Sequence, residues 1–315
     1  MKTIYVYEIG AVVKKANERI AVLKDGMVLL SEPLINVEAV ALLEQAQVSS
    51  QAMVTLLESG IPVFFMKKSG RITGTVQPSI DKSIFLRLAQ YDAWKNESLR
   101  CQLAKSFVLS KMHSQKIHIA KHRSRAYELC KDLSENLDTY VERVSTATDV
   151  YEIMGLEGAS TNSYYDLLRA CFVGMPFAKR SKHPPRDEVN SLLSLGYMLL
   201  LAKVQTALAV KGFDTGIGFL HSIQASRDSL GLDILEVYRP YIDNMVLTCV
   251  NRREIIQSDF QSTENGAIVL NKDGFRKFIK RFTEQQKLFD SIPKYVDWLH
   301  AIIMSGNEVV PWQPE

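Results

Sequence analysis

A chain of 315 residues with 46% hydrophobic and 23% charged residues has the composition of an ordinary soluble globular protein. Its net charge of +3 permits an anionic partner without requiring one, and its four cysteines, which lack Cys-x-x-Cys spacing, exclude a disulfide framework and a cysteine zinc knot. Because no apolar run approaches the roughly 18 to 20 residues of a membrane span and the N-terminus lacks a signal-peptide core, we expect a cytoplasmic protein.

Residues 1–80 are predicted to form a small β-rich domain. Three stretches are rich in Val, Ile, Tyr and Phe: TIYVYE, AVVKKANERIAVLKDGMVLLSEPL and IPVFFMKKSGRITGTV. Turn-forming residues separate the strands at Ala16-Asn17, Lys24-Asp25-Gly26, Gly60 and Ser69-Gly70. One short helix, capped by Ser49 and Ser50, interrupts them. The apolar edge strands would serve as a dimerisation or docking surface, and a sandwich with covered edges is an equal alternative.

The composition changes after residue 76, where we place the domain boundary. Gln77-Pro78-Ser79 breaks the last strand, and from Asp81 onward helical periodicity and the content of Arg and Lys rise together. Residues 81–315 are therefore predicted to form a larger all-helical domain, which makes the fold class α+β and multidomain. Basic residues gather early in this domain: Lys105, Lys111, Lys116, Lys121, His122, Arg123 and Arg125. They form either a solvated helix face or a stripe that faces the phosphates of a nucleic acid.

Glu157 is the first acidic residue that the sequence singles out, because Gly155 and Gly158 flank it inside a predicted helix. Each interior glycine costs a helix about 0.5 to 1 kcal/mol relative to alanine. Close approach of a ligand or of another helix would explain the two glycines. Relief of crowding between helices is an equal alternative.

The densest group of potential metal ligands is His221, Asp233 and Glu236. His221 follows a glycine-rich turn, and the two acids lie three residues apart in an apolar pattern of helical period. If this segment is a helix, both carboxylates share one face. Their burial costs free energy unless a cation or hydrogen bonds compensate. The alternative is a helix end at which the acids are solvated or paired to Arg227 or Arg239.

A long apolar helix precedes this group. Asp187 or its neighbour caps the segment EVNSLLSLGYMLLLAKVQTALAV, whose all-round hydrophobicity predicts the central core helix of the domain. Its polar exceptions, Asn190 and Tyr197, lie two turns apart on one face, where a buried asparagine with satisfied hydrogen bonds is expected. The loop before this helix is basic and holds Lys179, Arg180, Lys182, His183 and Arg186.

After Pro240 the chain is predicted to continue as helix, and then as a short hairpin over residues 259–271 with its turn at Glu264-Asn265-Gly266. The segment GFRKFIKRFTEQQKLF predicts a basic amphipathic helix that covers the core while its cations face solvent or DNA. The tail over 306–315 is predicted to be loosely ordered.

Four of these segments together resemble one known family. They are the LEG of residues 156–158 with Tyr164-Tyr165 downstream, PPRDEVNSLLSLGYMLL over 184–200, GIGFLH ending at His221, and SLGLDILEVYRP over 229–240. In their order and spacing the chain is similar to the CRISPR-associated spacer-acquisition integrases, the metal-dependent DNA endonucleases known as CRISPR-associated protein one. The resemblance extends from the β-rich start to the helical end.

The resemblance implies a site as well as a fold. Glu157, His221 and Glu236 would be three ligands of a divalent metal, with Glu236 at a position where other members carry aspartate. Asp233, one helical turn earlier, would join the catalytic group as a neighbouring acid. The fold would be an N-terminal β domain that makes a homodimer contact and a C-terminal all-helical catalytic domain, in agreement with the boundary placed by composition.

Two carboxylates and one imidazole suit Mg²⁺ or Mn²⁺ better than a structural zinc site, and the nitrogen ligand favours Mn²⁺. Such a cation would polarise a phosphodiester and stabilise charge on the attacking and leaving oxygens. Five basic residues would grip DNA phosphates near the metal, although each also fits a plain surface cation or salt-bridge partner: Lys179, Arg180, Lys182, Arg186 and Arg239. His183 is predicted to be a surface histidine.

The sequence leaves three functions open. The resemblance favours a dimeric integrase that inserts short DNA fragments as new spacers into a repeat array by 3′-OH transesterification. It would work with a small ferredoxin-like partner protein that bridges two dimers. With water as the nucleophile, the same site would be a plain nuclease of branched or single-stranded DNA. The third possibility is a non-enzymatic helical DNA-binding module whose acids are structural.

Overall fold

The computed structural model of the protein describes residues 2–43, 45–67, 72–77, 83–122, 127–181, 184–306 and 309–312. The predicted turn at Ser69-Gly70 and the predicted strand break at Pro78-Ser79 lie outside these residues. Within them, strands occupy the N-terminal part of the chain and helices most of the remainder. The predicted α+β fold class is therefore confirmed.

The strands of the N-terminal part form two four-stranded sheets. The elements are β1 (Lys2–Val6), β2 (Val12–Ala16), β3 (Arg19–Lys24), β4 (Met27–Pro33), β5 (Val37–Leu43), β6 (Gln47–Val48), α1 (Ser50–Glu58), β7 (Val63–Met66) and β8 (Ile72–Val76). The first sheet has the order β1-β5-β7-β8, in which only β7 and β8 pair antiparallel. The second has the order β4-β3-β2-β6, in which β2 and β6 pair in parallel. Ile4, Val13 and Leu56 belong to one apolar cluster, so both sheets and α1 share a core.

Local sequence determines where these elements begin and end. Ser49 Oγ accepts a hydrogen bond from Ala52 N at 3.3 Å and caps α1, and the chain leaves this helix through Gly60 at a φ of 74°. Asn17 and Asp25 adopt left-handed φ values of 55° and 50° in the turns that join β2, β3 and β4. Both residue types tolerate that region. The predicted helix and these two turns are confirmed.

Apart from one hairpin and the loops that join the elements, the rest of the described chain forms helices. The elements are α2 (Ile84–Lys95), α3 (Glu97–His122), α4 (Tyr127–Thr146), α5 (Val150–Cys171), α6 (Glu188–Lys211), α7 (Ser229–Asn251), β9 (Phe260–Ser262), β10 (Ile268–Leu270), α8 (Lys272–Thr283) and α9 (Gln286–Ser305). Asp149, Asp187 and Asn271 cap α5, α6 and α8 by accepting from first-turn amides. The predicted Asp187 cap, the hairpin and the continuation of α7 through Pro240 are confirmed.

The central helix of the helical part is α6. Gly196 lets α7 approach so closely that a Cβ on this residue would lie 2.5 Å from Ile242 Cγ2. Asn190 is fully buried, and its amide accepts from Ser181 N at 2.9 Å and donates to Lys179 O at 2.8 Å. The predicted core helix with a satisfied asparagine is therefore confirmed.

By length and composition alone, α6 is the one helix of the described ranges that could cross a membrane. The search for an apolar run in the sequence missed it because single polar residues interrupt the helix. Ala202 of α6 packs with Ala41 and Phe64 of the first sheet, and the helix also contacts α7 and α9. These contacts give α6 the position of a core helix that joins the sheet to the helical part.

The described part of the tail, residues 309–312, docks on the helices. Ser110 Oγ of α3 donates to Trp312 O at 2.6 Å. The Trp312 ring lies 5.6 Å from the Tyr295 ring and 6.4 Å from the Trp298 ring, measured between centroids. For these residues the prediction of loose order is wrong, because an aromatic side chain binds them to α3 and α9.

Candidate active site

Asp233 fixes the loop before α7 to the helix itself. Its carboxylate is fully buried and accepts three backbone hydrogen bonds: from Phe219 N at 2.6 Å, from Leu220 N at 3.0 Å and from His221 N at 2.8 Å. Gly218 permits this closure, because a Cβ there would lie 2.9 Å from Asp233 Oδ2. The position of His221 is therefore set by a buried carboxylate.

The same carboxylate orients the imidazole of His221. His221 Nδ1 lies 2.7 Å from Asp233 Oδ1, so Nδ1 carries a proton and Nε2 keeps the lone pair that could bind a metal. A carboxylate behind the imidazole is the common arrangement of a metal-ligating histidine. Because all of its hydrogen bonds go to residues 219–221, Asp233 orients His221 and does not pair with the cations around Glu236.

Glu157 of α5 and Glu236 of α7 meet at the ammonium of Lys111 in α3. Lys111 Nζ lies 2.6 Å from Glu236 Oε2 and forms a second ion pair with Glu157 Oε1. Lys111 and Glu236 are buried, whereas Glu157 is half-buried. Three helices thus bring two carboxylates and one cation to a single point. The residues Lys111, Glu157, Glu236 and Arg239 are called the ion cluster below.

The charges of the ion cluster stabilise one another. Burial alone would raise the pKa of Glu236, but the Arg239 guanidinium, at 2.9 Å, and the Lys111 ammonium together lower it to about 2. Burial alone would lower the pKa of Lys111, but the carboxylates of Glu236 and Glu157 raise it. The buried carboxylate and ammonium are therefore both charged at neutral pH.

The helix surface beside Glu157 is open. Thr161 Oγ1 donates to Glu157 Oε1 at 2.9 Å and holds the carboxylate on one side. A Cβ on Gly155 or on Gly158 would meet no atom within 4 Å. Close packing of another helix and relief of helix crowding are therefore wrong as explanations of the two glycines. Approach of a ligand stays a prediction, and the open surface leaves room for one.

The donor set fits a divalent cation that prefers oxygen. Glu157 and Glu236 already share one cation, and Asp233, one turn before Glu236 on α7, fixes the tautomer of the His221 imidazole. Across the described ranges, no three His, Cys, Asp or Glu side chains are grouped for metal binding, and Lys111 lies between the two carboxylates. A divalent cation would need the oxygens that the ammonium holds.

Two of the predicted DNA-binding residues have partners inside the protein. Arg239 pairs with Glu236, and its guanidinium carbon lies 5.1 Å from the centroid of the Tyr197 ring. Arg180 lies 5.5 Å from the same ring and donates to Asn190 Oδ1 at 2.7 Å. Both arginines line a cavity of about 530 Å³ next to Tyr197. Their first role is thus to build the wall beside the ion cluster.

The other predicted DNA-binding residues that the structure describes do not contribute to this wall. Lys179 and Arg186 are exposed, whereas Lys182 and the neighbouring His183 lie outside the described residues. Arg186 Nη1 is 3.5 Å from Gly266 O, so it makes at most a weak contact with the hairpin. Lys179 and Arg186 keep free faces that an anion could reach.

Asp243 is a buried acid that the sequence did not single out. The Tyr197 hydroxyl donates to Asp243 Oδ1 and lies 3.1 Å from the Tyr165 hydroxyl. Burial raises the pKa of Asp243 to about 7, although the Tyr197 hydrogen bond and the Arg239 guanidinium oppose this rise. Its position within a run of apolar residues on α7 gives no sequence signal of a functional role.

The early basic stretch does not form one surface. Lys105 Nζ donates to Ser145 O at 2.9 Å, Lys116 pairs with Asp138, and Arg123 and Arg125 lie outside the described residues. For Lys111 both sequence alternatives, a solvated face and a phosphate-facing stripe, are wrong.

The burial of Lys111 could have been predicted from its spacing to apolar and buried positions on α3. It follows Phe107 by four residues and precedes Gln115 by four, and both of these side chains are fully buried. A lysine in that register lies on the buried face of α3.

The chain matches, over residues 4–284, the sequence profile of the family described as CRISPR associated protein Cas1. The chain belongs to the Cas1 family. The CRISPR-associated endonuclease Cas1 3 of Thermus thermophilus is 31% identical over 258 residues, which are 80% of this chain and 74% of that protein. The CRISPR-associated endonuclease Cas1 1 of Chlorobaculum tepidum is 29% identical over 297 residues, which are 91% of this chain and 87% of that protein.

Solved Cas1 structures share the fold. A CAS1 protein from Thermotoga maritima superposes with a TM-score of 0.78 at 25% identity, over 99% of this chain and 100% of that chain. A chain of a partial Cas6-RT-Cas1–Cas2 complex gives a TM-score of 0.79 at 24% identity, over 98% of both chains. A casposase bound to an integration product gives 0.74 at 20% identity, over 100% of this chain and 99% of that chain.

Membership of the Cas1 family confirms the resemblance stated from the sequence. It also confirms the predicted class of enzyme, a CRISPR-associated endonuclease. The family further implies dependence on a divalent metal. The two carboxylates that pair with Lys111 and the imidazole of His221 are side chains of the types that bind such metals.

Proposed function

We propose that Glu157, His221 and Glu236 hold one Mg²⁺ or Mn²⁺ ion and that this site cuts and joins DNA strands. The observation that carries the proposal is the convergence of both glutamates on one cation, Lys111. When bound, the metal would polarise a phosphodiester and stabilise charge on its oxygens. His221 would offer Nε2 as the nitrogen ligand, while Asp233 keeps Nδ1 protonated.

Lys111 is a positioning residue in this proposal. Its ammonium neutralises two carboxylates that would otherwise repel each other in a buried site. Because Lys111 and a divalent cation need the same oxygens, the ammonium must withdraw from Glu157 and Glu236 before both can act as ligands. The withdrawn ammonium then lies beside the site, where it can bind a phosphate oxygen of the DNA.

DNA approaches from the side of Glu157, where the helix surface around Gly155 and Gly158 is open. Lys179 and Arg186 are exposed and bind phosphates by charge, which supplies affinity without sequence choice. Lys182 keeps the same predicted role. Arg180 and Arg239 also face the DNA, but they first hold the wall of the site through Tyr197 and Glu236.

The reaction is insertion of a short DNA fragment as a new spacer into a repeat array. The 3′-hydroxyl of the fragment attacks a phosphodiester of the array and loses its proton. A new P–O bond forms as the old one breaks, and the departing strand takes up a proton on its own 3′-oxygen. Relatives in fold include a Cas1–Cas2 complex and a casposase bound to an integration product, which favours joining over hydrolysis alone.

The N-terminal part is proposed as the dimerisation domain, residues 1–80, and residues 81–315 as the catalytic domain. Edge strand β4 supports this division because it exposes a run of apolar side chains: Met27 at 66%, Val28 at 59%, Leu29 at 48% and Leu30 at 37%. A second copy of the chain would cover them. The dimer would work in the cytoplasm, with a small ferredoxin-like partner protein that bridges two dimers.

The test is a joining assay with a 3′-OH donor DNA and a supercoiled target that carries a repeat. His221→Ala should lower joined product at least about 100-fold, because the nitrogen ligand is lost, and should weaken Mn²⁺ binding measured by calorimetry. His300→Ala, on α9, is the matched control and should change neither. Unchanged joining and Mn²⁺ affinity in His221→Ala would contradict the site. Nicked fragments without joined product in the unaltered protein would favour a plain nuclease.

A further inference from the structure

A second cavity, of about 490 Å³, lies where the first sheet meets α6 and α9. Its walls include Tyr5 of β1, Glu38 of β5, Lys203 of α6 and Phe289 of α9. None of the residues that line it belongs to the ion cluster or to the loop of His221. A cavity of this size admits a small molecule but no macromolecule.

The amine of Lys203 lies in aromatic surroundings in this cavity. Lys203 Nζ is 3.6 Å from the centroid of the Tyr5 ring and 5.1 Å from that of the Phe289 ring. Within the described ranges no carboxylate forms an ion pair with it, whereas the neighbouring Lys211 pairs with Asp297 at 2.5 Å. Lys203 is thus held by ring faces, which leave the nitrogen accessible from the cavity.

Other charged groups line the same cavity: Glu38 of β5, Lys211 of α6, and Asp290 and Asp297 of α9. Burial nevertheless lowers the pKa of Lys203 to about 8. At pH 7.5 about a quarter of such amines are neutral, against about 0.1% of ordinary lysines. Only the neutral amine has the lone pair that attacks an electrophile.

We propose that Lys203 is a modification site that is acylated by small activated acyl donors of the acyl phosphate class, which reach it through this cavity. The amine attacks the carbonyl carbon of the donor, and a C–N bond forms. The C–O bond to the phosphate breaks, and the proton that the amine loses is taken up by the departing phosphate, which leaves as hydrogen phosphate. The resulting amide carries no charge, so acylation abolishes the cation–π contact between Lys203 and Tyr5 at the junction of sheet and helices.

The full-length protein tests the proposal with acetyl phosphate at pH 7.5. After graded times the remaining amines are labelled with a heavy acetyl reagent in denaturant, and peptide mass spectrometry gives the rate at each lysine. Lys203 should react on the order of tenfold faster than the exposed Lys14, because its larger neutral fraction outweighs its weaker basicity. Its rate should level off above about pH 8, whereas the rate at Lys14 keeps rising.

Matched variants show whether the fast acylation of Lys203 depends on the cavity or on its neighbours in sequence. Phe289→Leu should reduce the advantage of Lys203 at least threefold by admitting water, and Phe275→Leu, at a half-exposed site on α8, should leave it unchanged. Unfolding in urea before the reaction should abolish the advantage. A Lys203 rate at or below that of Lys14, parallel pH profiles, or an advantage that survives urea would each overturn the proposal.

Discussion

The two parts of the molecule treat charge in opposite ways. In the described N-terminal part, the buried residues are apolar except for Thr55, and the charged side chains lie outside the core. The helical part buries Lys111, Asp233, Glu236 and Asp243 among its apolar helices. Buried charges contribute little net stability, because their desolvation offsets their attraction. The first part thus has an apolar core, whereas the second keeps charged groups inside it.

The exposed surfaces of the two parts also differ, because one is apolar and the other lies beside a charged group. The edge strand β4 exposes Val28 and Leu29, which gain free energy when another apolar surface covers them. The open surface of α5 is bare backbone at Gly155 and Gly158, next to a charged carboxylate.

The largest effect is expected at the two carboxylates of the ion cluster. Glu157→Gln or Glu236→Gln should lower joined product on the order of 10³-fold, because each removes an anionic metal ligand. Glu264→Gln, in the exposed hairpin turn, is the matched control. The joining assay measures the effect, and a thermal melt checks that each variant is folded. Unchanged joining in either variant would show that the substituted glutamate is not a metal ligand.

Lys111→Met should destabilise the metal-free protein by about 3 kcal/mol, because it leaves two facing carboxylates without their shared cation. Added Mn²⁺ should restore part of this loss, since a divalent ion neutralises the same oxygens. Lys116→Met, on the same helix but half-exposed, should cost less than about 1 kcal/mol. Urea unfolding with and without Mn²⁺ measures both. An equal decrease in the free energy of unfolding of the two variants would contradict the positioning role of Lys111.

Asp233→Asn should cost about 2 kcal/mol and weaken Mn²⁺ binding about 10- to 100-fold, because an amide is a weaker acceptor for the His221 loop and no longer fixes the ring tautomer. Asp214→Asn alters another loop carboxylate, which accepts from Gly216 N at 2.9 Å. This control should leave the Mn²⁺ affinity unchanged. Calorimetric titration distinguishes a specific effect on His221 from a general loosening of the loop.

Asp243→Asn should alter the dependence of stability on pH. Because burial raises the pKa of Asp243 to about 7, the folded protein binds this proton more tightly than the unfolded chain does. The stability that it confers is therefore lost as the pH rises from about 4 to about 7. Relative to the unaltered protein, Asp243→Asn should gain about 2 to 3 kcal/mol between pH 5 and pH 8. Unfolding midpoints at both pH values, with the exposed Asp166→Asn as control, test the sign.

The smallest effect on folding is expected in the N-terminal part. Val28→Lys should change the free energy of unfolding by less than about 0.5 kcal/mol, because the side chain is exposed in the isolated chain. It should nevertheless dissociate the dimer, which sedimentation measures. Lys14→Glu, an exposed change on β2, should not. A dimer that persists in Val28→Lys would place the subunit contact elsewhere.

Local patterns in the sequence were sufficient for the elements but not for their assembly. The caps Ser49 and Asp187 and the turns at Asn17 and Asp25 act over a few residues, so the sequence predicted them directly. The order β1-β5-β7-β8, with its parallel pairs, depends on contacts between distant segments. No local pattern encodes such an order.

The candidate site likewise combines features that local sequence predicts with others that depend on distant contacts. The spacing of Asp233 and Glu236 predicted a shared helix, but whether each acid faces the loop or the ion cluster depends on contacts with other segments. Lys111 was grouped with surface cations because its neighbours in sequence are basic, whereas its burial results from packing of α3 against α5 and α7. Asp243 was missed because its burial on α7 likewise results from packing between distant segments.

Pro240 gives α7 a property that its regular neighbours lack. Proline has no amide hydrogen, so the carbonyl oxygen of Glu236, four residues earlier, loses its usual partner in the helix. The axis can bend at this turn without sacrificing a backbone bond. The Glu236 carboxylate therefore lies at a turn where α7 can bend, while Asp233, one turn earlier, is held by its hydrogen bonds to the His221 loop.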